Sequence, residues 1–381
     1  MIRSKLSFAF LASVLLAACG GAAAPAQSSA PAPASAKPAT SAAASAPASA
    51  SAKPAASGAA SAAGKPAASG AASAAASTSG GAVKLSAFYS TVSATFGVMW
   101  VAKEAGIFAK NGIDMDVQLI QNPNGTQALM ANQVQLGLSG AADLLGPDSS
   151  GADLQGFATF TTTYPYAFEV ANSIKTPAEL KGHKIGASQP GGSDYVALLA
   201  VLEKLNLDPT KDVTIPFVGG IPQRTAALLS GVVDGTLSSP PETLVIEPKG
   251  FHPLVDVTSL NLPSATSVLT AHKAWAQANH ATMQKVVDSL MESIARVKSD
   301  RAFTEQVYTK YLKLEDKAAL DATYDFFAQK ITPTVPNITA AQFQDTATQL
   351  SKTNAAIKNV DINSVVDNSF VEDAVKRGVG K

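Results

Sequence analysis

Cysteine is nearly absent: among 381 residues only position 19 carries one. With no second thiol the chain forms no internal disulfide. Past Cys19 it has no thiolate for zinc, for an iron–sulfur cluster or for covalent catalysis. Acidic residues are missing from the first 82 positions, and no aromatic or branched aliphatic residue stands between Cys19 and Val83. That stretch cannot bury enough apolar surface to offset the entropy of ordering it. The four histidines (His183, His252, His272, His280) are scattered, and the 272/280 spacing aligns poorly on a helix for metal binding. No GxxxxGK[ST], HExxH or GxSxG sequence occurs. Neither catalytic residues, a metal site nor a cofactor is therefore expected.

What the N-terminal region does contain is an export pattern. Arg3 and Lys5 precede an uncharged, mostly apolar run at 6–18, too short to span a bilayer as a permanent helix. The segment LAAC ending at Cys19 resembles a bacterial lipobox, so 1–18 is expected to be a cleaved signal peptide and Cys19 the lipidated residue. Residues 19–82 are almost wholly Ala, Ser, Pro, Gly and Lys, with KPAASGAASAA repeated at Lys53 and Lys65. Neither copy has an apolar face to stack, so this is low-complexity sequence and not a solenoid. It reads as a disordered tether with a mean reach of roughly 40 Å.

All charge of one sign near the start leaves a surplus of the other sign after it. Five basic residues (Arg3, Lys5, Lys37, Lys53, Lys65) precede Val83, leaving 24 basic and 29 acidic residues beyond. A mildly acidic domain without a basic stripe is a poor nucleic-acid binder. About 300 residues suffice for two lobes with separate cores. From residue 84 strand-like and helix-like segments alternate: strands at 84–89, 115–121, 135–139, 154–162, 166–170, 184–188, 213–218 and 233–237, with helices between them. This order predicts an α/β fold with parallel-rich sheets flanked by helices. After about residue 271 the apolar spacing becomes helical over 274–298, 302–312, 317–330 and 340–358, with a last short helix starting near Asp361 or Asn363.

Four stretches taken in order resemble the nitrate/sulfonate/taurine family of solute-binding proteins, which includes binders of the thiamine pyrimidine precursor. They are SAFYSTVSATFGVMWVAKEAGIFAKNGIDMDVQLI (86–120), LKGHKIGASQPGGSDYVALLAVLEKLNLDPTKDV (180–213), VGGIPQRTAALLSGVVDGTLSSPPETL (218–244) and DINSVVDNSFVEDAVKRG (361–378). The resemblance covers essentially all of 83–381. It implies a two-lobed periplasmic-binding-protein type II fold, with lobe one at 83–165 plus 259–381 and lobe two at 166–258. The crossings would fall near 164–167 and 257–261. It further implies a monomer that captures a small-molecule solute by hinge closure and delivers it to an ABC permease in the cell membrane. A ligand-sensing lipoprotein and an enzyme on the same fold are the other readings. A fungal pyrimidine synthase of this fold depends on a cysteine cluster that has no counterpart here.

Ligands of open α/β sheets sit beyond the C-terminal strand ends, where helix N-termini present free N–H groups. The small and hydroxyl residues at those points are the candidate ligand contacts: Ser90, Thr91 and Ser93; Asn124 and Thr126; Ser139 and Gly140; Ser188, Gly191, Gly192, Ser193 and Asp194; Gly220; and Ser239. Phe160, Tyr164 and Tyr166, near the expected crossing, are a candidate stacking wall, and Asp194 and Glu242 are candidate acceptors for an amine or ring N–H. Each also fits ordinary capping and turn chemistry. Arg224, the one basic residue in these loops, is expected in a helix-surface salt bridge. A dianion needing several arginine forks is thus disfavoured.

Overall fold

The structure, a computed structural model, describes residues 81–381. The leader, Cys19 and nearly all of the tether lie outside the described residues. Nine strands form two sheets. The first sheet orders β2 (Ile113–Leu119), β1 (Val83–Tyr89), β3 (Leu136–Ser139), β9 (Val268–His272) and β4 (Leu154–Thr159). The second orders β6 (Ile185–Gly186), β7 (Gly235–Ser238), β5 (Ala167–Ala171) and β8 (Phe251–Asp256).

Each sheet contains one reversed strand. β1 runs parallel to β2 and β3, whereas β9 is antiparallel to both β3 and β4. In the second sheet β6 and β7 are parallel, and β5 is antiparallel to β7 and β8. The two reversed strands are the first that the chain lays down after each passage between sheets. A chain entering from the side where the other strands end must run against them.

The two passages lie side by side. Phe160 N–H donates to Ser267 O at 2.8 Å, Ser264 N–H to Thr162 O at 3.1 Å and Val257 N–H to Tyr166 O at 3.0 Å. Thr161 ties them further: its buried hydroxyl accepts from the N–H of Thr266 at 2.8 Å and of Ser267 at 3.2 Å.

Burial explains the layers. Most of β3 and β4 is buried outright, as expected of strands covered on both faces. One core joins the first sheet to the helices His280–Ser299, Arg301–Leu312 and Ser369–Lys376, through Leu85, Phe157, Val287, Leu290 and Phe370 among others. Trp100 anchors it, stacked on Tyr311 at 4.7 Å and edge-on to Tyr89 at 5.4 Å. Each such fully buried large side chain contributes about 2–3 kcal/mol. The other face of the first sheet is covered by Ala141–Asp148 and Ala340–Leu350, in a core that also includes Val196 from the Ser193–Lys204 helix of the second lobe. A third core belongs to the second sheet alone.

Several expected boundaries differ. The segment at 213–218 forms only isolated bridges, Lys184 with Thr214 and Ala187 with Phe217. Pro216 has no N–H to give a ladder, which confines the segment to an edge. The helix expected over 274–298 is two helices, Lys273–Ala278 and His280–Ser299. That expected over 340–358 ends at Leu350, where Asn354 accepts from Ala356 N–H and opens a separate turn. The last helix starts at Ser369, because the Asp361 carboxylate accepts the N–H of Asn363 and its carbonyl accepts the N–H and hydroxyl of Ser364, closing a separate turn.

Candidate functional site

The ends of the parallel strands converge on a cavity of about 140 Å³ between the two sheets. That volume matches an apolar cavity able to hold a benzene-sized guest. After β1 come Ser90, Thr91 and Ser93; after β2, Gln121 and Asn122; after β3, Gly140 and Asp143. From the second lobe come Ser188, Gly192, Ser193, Asp194, Gly220 and Arg224, with Tyr166 from the first passage.

The lobes meet across it. Gly140 has φ −85°, a backbone any residue adopts, yet a methyl group added there would overlap the Ser193 hydroxyl and lie 2.7 Å from Ser193 Cβ. A Cβ added at Gly220 would sit 3.2 Å from Thr91 Oγ1. Glycine is used here for close approach of two bodies, not for an unusual turn.

The charged groups are arranged in a buried network. Arg224 Nη1 pairs with Asp194 Oδ2 at 3.1 Å and also donates to Gly219 O at 3.3 Å, while Nη2 donates to Leu237 O at 3.1 Å. Asp194 accepts from Ser188 N–H at 2.8 Å and from the Ser188 hydroxyl. Arg224 is 2% exposed, so this pair is internally neutralised inside the protein. Asp143 has no such cation. Its Oδ2 accepts Gly140 N–H at 3.1 Å. Burial pushes its carboxyl up to about 7, opposed by the Gly140 N–H and by the Asn122 and Ser193 side chains, with the Asp194 charge adding to the rise. Thr91 Oγ1 and Arg224 Nε find no hydrogen-bond partner among the described residues. A half-open cleft with unsatisfied donors suits a polar guest.

Nine of the sixteen candidate contacts line this cavity: Ser90, Thr91, Ser93, Gly140, Ser188, Gly192, Ser193, Asp194 and Gly220. The other seven do not. Asn124 is exposed at a helix start, and Thr126 spends its N–H and hydroxyl on Asn122 Oδ1, at 3.1 Å each. Ser139, the last residue of β3, and Ser239, one past the end of β7, are buried without reaching the cavity. Gly191 takes a left-handed turn at φ +73°, beside Leu350. The Tyr164 hydroxyl donates to Asp345 at 3.0 Å, joining the passage to the Ala340–Leu350 helix. Glu242 lies off the cavity, with burial raising its carboxyl to about 7 against the pull of its own N–H and of Arg224. Asp194 itself is committed to Arg224 and Ser188, which leaves it little capacity for a guest amine.

Asp143 was not among the candidates, and of the aromatic wall only Tyr166 lines the cavity, Phe160 and Tyr164 being buried without reaching it. Arg224 is not in a surface salt bridge, because it lies one turn into the Ile221–Leu229 helix on the face turned to β7. The signal for both charged residues was spacing: each follows a cleft glycine, Gly140 and Gly220, by three or four positions. Among the described residues no group of three or more His, Cys, Asp or Glu is placed to hold a metal ion.

Two α/β lobes, joined by paired passages and enclosing a cavity at their strand ends, define the periplasmic-binding-protein fold. The chain belongs to the NMT1/THI5-like family, whose model matches residues 93–300. It is 29% identical over 211 residues to the putative aliphatic sulfonates-binding protein of Escherichia coli (strain K12). That match covers 53% of this chain and 64% of the relative, just under two thirds of its length. The periplasmic aliphatic sulphonate binding protein SsuA from Escherichia coli shares the fold at a TM-score of 0.63 and 24% identity, over 75% of this chain and 92% of that one. So does the desulfurization enzyme DSZB, at 0.60 and 18%, over 77% and 99%.

Proposed function

We propose that this chain is a solute-binding lipoprotein of an ABC importer, which captures a small organic monoanion of the sulfonate type in the cleft between its lobes. It would act as an exported monomer, held to the membrane by lipid on Cys19 and floating on the 19–82 tether. Loading would proceed by hinge closure about the paired passages, and the loaded form would dock on a membrane permease.

The observation that carries this reading is the cavity's composition. It combines contributions from both lobes, free hydroxyl and helix-terminal donors, and a single arginine already neutralised by Asp194. Donors without net positive charge suit a weakly basic, singly charged oxyanion better than a dianion. The sulfonate-binding relative supports the class of guest. An enzyme of the same fold exists among the neighbours, but residues 81–381 hold no cysteine and the cavity offers no nucleophile paired with a histidine base.

The test is a thermal-shift panel of alkanesulfonates, carboxylates and pyrimidines on the mature chain. A guest at a hundred times its Kd stabilises by about 2.7 kcal/mol. Short alkanesulfonates should raise the melting temperature, and Ser193→Phe should abolish the rise while leaving the unliganded melting temperature within a few degrees. No response to any sulfonate would refute the reading.

A further inference from the structure

The cleft holds two carboxylates and one cation, and the cation is taken. Arg224 is spent on Asp194 and on two backbone carbonyls, so Asp143 is the one carboxylate lining the cavity without a charged partner. The surroundings of Asp143 offer no other neutralising charge. β4, packed beneath its helix, carries no titratable side chain. The Ser193–Lys204 helix presents Asp194, and further along Glu203, which is tied to Lys352. The Ala340–Leu350 helix presents Asp345, occupied by Tyr164. Tyr166 faces the same space with its hydroxyl, and Asp148 lies on the far end of the helix that carries Asp143. An anion entering this cleft meets a like charge at short range unless that charge is removed first.

Building on the sulfonate-capture reading, we propose that Asp143 sets the charge of the guest: the cleft admits a monoanion together with one proton on Asp143, so loading takes up a proton and dianions are rejected. The proton comes from solvent and rests on the Asp143 carboxyl; no covalent bond to the guest forms or breaks. The carboxyl, raised to about 7 by burial, is driven further toward its protonated form by the guest's charge. Protonated, it becomes an O–H donor to the guest, where the ionised form is only an acceptor.

The sign follows directly. Ethanesulfonate does not titrate between pH 6 and 8, so any change in its affinity comes from the protein. With a carboxyl poised near 7, affinity should fall roughly tenfold from pH 6 to pH 8, as the protonated fraction falls by that factor. Calorimetry of the mature chain in two buffers of different ionisation enthalpy should record close to one proton taken up per ethanesulfonate at pH 8 and much less than one at pH 6. Asp143→Asn should flatten the pH profile and bind at pH 8 about as tightly as the unaltered chain does at pH 6. Sulfate, the dianionic probe, should bind at least tenfold more weakly than ethanesulfonate throughout. A flat profile with no proton uptake in the unaltered chain, or a slope that survives in Asp143→Asn, would overturn the proton linkage while leaving sulfonate capture intact. Absence of binding at every pH in both forms would overturn the capture reading itself.

Discussion

Arg224 and Asp194 illustrate how single residues in this molecule hold the cavity wall together from within the protein. Their ion pair lies inside the protein, where removing one partner strands the other's charge without water. Asp194→Ala should therefore cost about 3–5 kcal/mol in urea unfolding. Replacing both by apolar residues of similar volume should cost less than either single change. Glu169 is a second buried charge, with 0% exposure and neither carboxylate oxygen bonded among the described residues. Burial, with the Glu247 charge second, raises its carboxyl from 4.5 to about 8. A raised folded value means the native state keeps the proton, so its stabilising effect is full at acid pH and drains away as pH climbs from about 4.5 to 8. Glu169→Gln should remove that slope and exceed the unaltered chain in stability at pH 8 by a few kcal/mol, on the order of magnitude that such a shift implies. Urea midpoints of the two proteins at pH 5 and pH 8 check it; equal slopes would show that Glu169 is ionised in the fold.

At the scale of elements, the paired passages are the structural device, and Thr161 is their fastening. Thr161→Val deprives two buried N–H groups of their acceptor and should cost about 1–3 kcal/mol. Hydrogen exchange at Thr266 and Ser267 should quicken before the rest of either sheet. Sequence patterns made most of these elements legible, since strand-end glycines and hydroxyls recur wherever a strand hands over to a helix. Ser188 to Asp194 was readable for that reason: Gly192 and Ser193 open a helix whose apolar face, from Val196 to Leu202, is unbroken. The segment at 213–218 was misread because its apolar content looks like a strand, while Pro216 and its edge position permit only scattered bridges. Asp143 escaped notice because a carboxylate three residues into a helix is ordinary capping chemistry in any sequence. Only the approach of the opposite lobe, brought from residues 193 and 224, makes it unusual. Tyr164 and Tyr166 show the same limit, for alternation would put both on one side of an extended passage, yet Tyr166 lines the cavity while the Tyr164 hydroxyl donates to Asp345.

At the scale of the whole fold, residues 81–381 form two sheet-centred bodies that approach most closely where the backbone is bare. Gly140 and Gly220 permit the contact, and the Ser193–Lys204 helix bears on the first lobe through Val196 and through Glu203, which meets Lys352 and Gln349. Gly140→Ala separates the folding of each lobe from their closure. Its backbone is unstrained, so the unliganded melting temperature should stay within a few degrees, while affinity for ethanesulfonate should fall tenfold or more. The most direct measurement places spin labels on Gln133→Cys in the first lobe and Lys249→Cys in the second, both exposed, with Cys19→Ser removing the native thiol. Adding ethanesulfonate should narrow and shift the inter-label distance distribution to a single closed population, and Gly140→Ala should prevent the shift. Saturable ethanesulfonate binding with no change in that distance would contradict closure of the lobes around the guest.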